Sequence, residues 1–148
     1  MSAQDFVIVT LAEQSFGIPV MQVRDVLRRQ RMTPVPLAPH AVAGLLNLRG
    51  RIVTAFDLRV RLGLAPRAAD ADAANVVVEL GGELYALIVD AVGDVLTIPP
   101  GRLERVPATL DPVWREIAAA AHAADHGLVV LLDIARVLDL TPQFRNAS

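Results

Sequence analysis

The chain has 148 residues, 53% hydrophobic but only 4% aromatic, with a formal net charge of −2 and no cysteine. That length suits one domain or two small subdomains with a core of Val, Leu, Ile and Ala. The lack of cysteine excludes a disulfide framework, a thiolate metal site and a cysteine nucleophile.

The small net charge hides an asymmetry. Residues 1–66 carry eight Arg against four acids, and residues 67–148 carry six Arg against twelve acids. All fourteen basic residues are arginine. Halves of opposite sign suit head-to-tail contacts or partners of different charge, although solvated surfaces with a chance bias need neither. The N-terminus has no basic stretch followed by a long apolar run, so it does not read as a signal peptide. Apolar runs such as Leu128–Leu132 fall far short of the ~20 residues a membrane helix needs. These features lead to the expectation of a soluble cytoplasmic protein.

In chain order, Phe6–Leu11 reads as an apolar strand and Ala12–Ser15 as a turn. Phe16–Val20 reads as a short second strand that Pro19 places at a strand end or sheet edge. Val20, Val23, Val26 and Leu27 fit a short amphipathic helix or a twisted strand, and both readings stay open. Thr33–Pro39 is a proline-rich loop, and His40–Val42 suits one helical turn.

Residues 44–62 form the most informative stretch and read as strand, tight turn, strand. Gly44–Leu48 and Ile52–Phe56 are apolar, Arg49-Gly50-Arg51 is the turn, and Asp57 closes the second strand. Two arginines therefore stand where buried strands reach the surface. A guanidinium beside an apolar ridge suits protein contact, although a solubilising turn needs no partner. Residues 65–74 are small and polar, without apolar periodicity, and read as a linker or mobile loop.

The sequence then starts again. Val76–Leu80 matches Val7–Leu11, Gly81-Gly82-Glu83 reads as a hairpin turn, and Tyr85–Leu96 lies over Phe16–Leu27, all at an offset of 69. Leu128–Ile134 lies over Ile52–Leu58 at an offset of 76, so that Asp133 falls on Asp57, and Leu138 and Leu140 on Leu62 and Leu64. This order of registered blocks reads as an internal duplication of two small β-subdomains, each closing as a barrel. Residues 97–125 have no good counterpart. Within them Trp114–Ala124 favours helix by propensity, while the Asp125-His126-Gly127 turn favours a hairpin arm.

Catalytic signatures are missing: no glycine-rich phosphate loop and no GxSxG elbow occur. His122 and His126 have helical metal-ligand spacing but no third ligand, and Asp90 and Asp94 read as turn or helix caps. The basic cluster of Arg24, Arg28, Arg29 and Arg31 lacks the aromatics of a nucleic-acid groove. No cofactor, metal or nucleic-acid site is expected.

Four blocks, FGIPVMQVRDVL, TPVPLAPHAVAGLLNLRGRIVTAFDLRVRLGL, YALIVDAVGDVLTIPP and GLVVLLDIARVL, resemble the CheW family of chemotaxis coupling proteins. The resemblance runs from residue 5 to residue 140 as a single CheW-like domain, departing from the family at Thr54, where proline is common. It implies a mainly β fold of two SH3-like five-stranded barrels with a few short helices. The first subdomain is placed at about 16–66 and the second at about 76–130, with exchange of terminal strands left open. It implies a non-enzymatic adaptor that links the cytoplasmic tip of chemoreceptors to the regulatory domain of a CheA-type histidine kinase at membrane-associated arrays, with ring or array assembly. Val23, Asp25, Leu48, Arg49 and Ile52 match positions of the family's coupling surface, and Asp25 and Arg49 match positions that lie close together. Alternative roles are a non-flagellar chemosensory array, governing pili or a second-messenger output, and a decoy that occupies the kinase without bridging.

Overall fold

In a computed structural model, residues 3–68 and 70–139 are described. Leu140, matched above to Leu64, lies outside the described residues. The strands are β1 (Gln4–Leu11), β2 (Gln14–Pro19), β3 (Val23–Arg28), β4 (Val42–Leu48), β5 (Arg51–Asp57), β6 (Ala74–Leu80), β7 (Glu83–Val89), β8 (Ala91–Ile98), β9 (Ala118–Ala124) and β10 (Gly127–Leu132). Three short helices follow or precede them: α1 (Leu58–Arg61), α2 (Pro112–Ile117) and α3 (Ile134–Leu138).

The strands form two five-stranded sheets, ordered β8-β1-β2-β10-β9 and β3-β6-β7-β5-β4. The fold is mainly β, as expected. Each sheet mixes the two repeats: β1 and β2 pair with β8–β10, whereas β6 and β7 pair with β3–β5. The duplication reaches down to individual pairs. Val23 faces Val78, and their counterparts Val92 and Val9 face each other. Thr54 runs parallel beside Tyr85 as Val130 does beside Phe16.

Residues 23–28 are a strand, entered through a single 3-10 turn at Val20–Gln22. Part of the segment 97–125, residues 118–124, does have a counterpart, contrary to expectation. β9 lies on β4 at the offset of 76, so that Val42 faces Phe56 and Ala118 faces Leu132. Both hairpins shift register at the next pair, which is why the repeat bends alike twice. β9 carries alanine where β4 carries Val42, Leu45 and Leu48, so only the backbone pattern repeats.

Central strands are buried on both faces. Alternate residues of both sheets, among them Val9, Phe16, Phe56, Leu87 and Val130, meet the helices in one large central cluster. The opposite faces build two smaller clusters, one around Val53, Ala55 and Ile88, the other around Phe6, Ile98 and Leu131. Asp57 and Asp133 cap the helices that follow β5 and β10 by accepting from the amides of Arg59 and Arg136, at 3.0 and 3.3 Å.

Gly44 sits at the β4 register shift, where a Cβ would lie 2.7 Å from the carbonyl oxygen of Thr33. That oxygen cannot swing away, because Thr33 and Leu45 exchange two backbone hydrogen bonds of 2.8 Å. Gly44→Ala is expected to lower stability by about 2 kcal/mol, read from the urea midpoint at unchanged slope.

Candidate protein-binding site

The hairpin from β4 to β5 turns at Arg49 and Gly50, both at positive φ (53° and 85°). Asn47 closes the turn by accepting from the Gly50 amide at 2.9 Å. The left-handed backbone at Arg49 throws its side chain outward, leaving it 83% exposed. One guanidinium nitrogen then reaches Asp25 of β3 at 3.5 Å. β3 and β4 are the two edges of their sheet, so this contact requires the sheet to have curled on itself. The pair is exposed and contributes ~0–1 kcal/mol of stability, so its consequence is the direction in which Arg49 points.

Of the five residues matched to a coupling surface, Asp25 and Arg49 touch, and Leu48 and Ile52 flank the same turn. The last two point to opposite faces. Leu48 is half-buried against the cluster around Val53, whereas Ile52 is 66% exposed. Val23 is half-buried against the central cluster. Val26, not singled out from the sequence, adds 45% exposed apolar surface on the neighbouring edge strand. The corner therefore offers an exposed aliphatic side chain, Ile52, beside an oriented guanidinium.

The duplicate positions carry an acid in place of the arginine. The offset of 76 puts Asp125 where Arg49 stands and Leu128 where Ile52 stands; the offset of 69 puts Asp94 on Asp25 and Val95 on Val26. Val95 is 57% exposed, like its counterpart.

A second polar centre is structural. Asp90, which reads locally as a cap, joins both sheets. Arg59 binds it with two hydrogen bonds of 2.9 and 2.6 Å, Arg67 approaches one oxygen at 2.8 Å, and the Ala12 amide donates at 2.9 Å. The Arg59 guanidinium, helped by Ala12 and Arg67, holds the Asp90 carboxyl well below the usual carboxylate range despite burial. The same bond raises the Arg59 pKa. Arg67, through Asp90 and Asp57, and Arg59, through the Ala65 carbonyl, tie residues 65–67 to the body. His122 does not stack with His126 on a helix; it lies on β9 with Nδ1 3.1 Å from the Arg102 carbonyl. Among the described residues, no three metal-ligating side chains cluster.

The family model for the CheW-like domain matches residues 5–141. The chain belongs to the CheW-like domain family. It is similar to the chemotaxis protein CheW of Klebsiella aerogenes, 27% identical over 135 residues, covering 91% of this chain and 81% of that protein. The probable chemotaxis protein CheW of Rhizobium etli is also 27% identical, with 88% and 84% covered. The crystal structure of the scaffolding protein TtCheW from Thermoanaerobacter tengcongensis superposes with a TM-score of 0.80 at 28% identity, covering 90% of each chain. This CheW-like chain is therefore a non-enzymatic adaptor of the chemotaxis coupling type. Among its described residues no helix is long and apolar enough to cross a membrane.

Proposed function

We propose that this CheW-like protein couples the cytoplasmic tips of chemoreceptors to the regulatory domain of a CheA-type histidine kinase at membrane-associated arrays. The supporting observation is the corner where Asp25 orients an exposed Arg49 beside Ile52. Val23 and Leu48, half-buried beneath it, are assigned to the same surface as its packed base. Apolar contact at such a corner supplies affinity, and the charged rim fixes register and excludes wrong partners.

The acid that stands in place of Arg49 at the duplicate positions supports assembly into rings. A surface that is basic at one end and acidic at the pseudo-equivalent end makes heterologous contacts, which close when the rotation allows.

The test is calorimetric titration of wild type and Arg49→Glu with the kinase regulatory domain and with a receptor-tip fragment. Wild type is expected to bind both, and the reversal to weaken at least one by about tenfold or more at unchanged thermal stability. Binding to the kinase alone would make the protein a decoy, and binding to neither would end the adaptor reading.

A further inference from the structure

We propose that residues 112–124 are a helix–strand switch, in which β9 leaves the sheet and α2 lengthens through it. α2 runs into β9 with no intervening residue: Ile117 ends the helix and Ala118 begins the strand. The signals for a longer helix are all in place. Asp111 accepts from the Val113 amide at 2.9 Å as an N-cap, Pro112 occupies the first turn, and Gly127 stands beyond the Ala-rich run as a stop. Between them lies Ala118-Ala119-Ala120-Ala121-His122-Ala123-Ala124, dominated by the best helix former and a poor strand former.

The strand has little to hold it. β9 is an edge, paired in its sheet only with β10. Elsewhere it is tied by the two backbone hydrogen bonds between Ala121 and Glu104 and by the contact between His122 and the Arg102 carbonyl. Of its side chains only the methyls of Ala118 and Ala121 are buried. Its duplicate β4 is different. There Leu46 is buried, and Val42 and Leu48 pack against core clusters. The same backbone thus has an apolar anchor in one sheet and only methyl groups in the other. Release of β9 forfeits little burial of its own side chains, while every alanine regains its preferred conformation. Helix growth keeps the Trp114 end in place, because its indole donates to the Leu62 carbonyl at 3.0 Å and its ring stacks edge-on against Phe16. The consequence is an uncovered β10 edge, with Val129 and Leu131 losing the roof that Ala120 and Ala124 give them.

Amide exchange followed by NMR on the full chain tests this. Protection factors in β9 are expected to fall about tenfold or more below those at the matching positions of β4. Ala119→Val with Ala123→Val, both at exposed positions, favours strand over helix and is expected to raise β9 protection about tenfold. Saturation transfer on the minor state is expected to give helical Cα shifts for residues 118–124. Equal protection in β4 and β9, indifference to the valine pair, or coil-like minor-state shifts would each overturn the proposal.

Discussion

Asp90→Asn is expected to lower stability by about 2–3 kcal/mol at pH 7, with wild-type strand content retained in the folded state. The substitution keeps the shape of the side chain but removes the anion shared by Arg59 and Arg67, leaving Arg67 only its 3.4 Å contact with Asp57. Their side chains are 18% and 9% exposed, so water does little to screen them. The remaining exposure trims the figure below the 3–5 kcal/mol typical of breaking a fully buried pair. The effect depends on pH in a definite direction. Asp90 titrates lower in the folded chain than the ~3.9 of an unfolded Asp, so its contribution is complete above that value. It fades as pH falls toward the folded value. Urea midpoints at pH 7, 4 and 3 should therefore show the gap between wild type and variant narrowing on acidification. A gap of constant size would mean that the carboxylate is not preferentially ionised in the native state.

The position of Asp90 shows what kind of information the linear order withholds. Its partners Arg59 and Arg67 lie 31 and 23 residues away, on elements that meet only after folding. Read locally, the aspartate after an apolar strand is a cap. Strands were legible because β-branched and apolar runs such as Phe6–Leu11 and Val76–Leu80 carry their own signal. Repetition was legible because Asp57 and Asp133 both end a strand and cap a helix, which constrains residue type at both sites. The mixing of repeats between sheets was not legible. β10 pairs with β9 of its own repeat on one edge, and on composition alone its other edge could equally do so with β7; the parallel contact of Val130 with Phe16 has no local signature. At the corner, Arg49 was legible because a glycine-containing turn must project its neighbour. The value of Ile52 over Leu48 was not. One faces solvent and the other the core, and period-two alternation fixes that difference only once the buried face is known.

Arg61→Ala is expected to cost about 3 kcal/mol, and Arg61→Met about half as much, by urea unfolding at neutral pH. Arg61 is 7% exposed, and its guanidinium donates to the carbonyls of Val137 at 2.9 Å and Arg136 at 3.0 Å. These carbonyls end α3, where unpaired acceptors and the helix dipole favour a cation. One side chain thus fastens the helix of the first repeat to that of the second. Spacing held the clue: Arg61 stands three residues after Leu58 and one before Leu62, both buried, on the inward stripe of α1. The two substitutions separate the contributions. Methionine restores most of the volume of the aliphatic stem but offers no donor, so the shortfall of Arg61→Met measures the hydrogen bonds. The further loss in Arg61→Ala measures the cavity. If methionine matches wild type, packing alone joins the repeats. If methionine and alanine fall equally, the carbonyl contacts account for the whole effect.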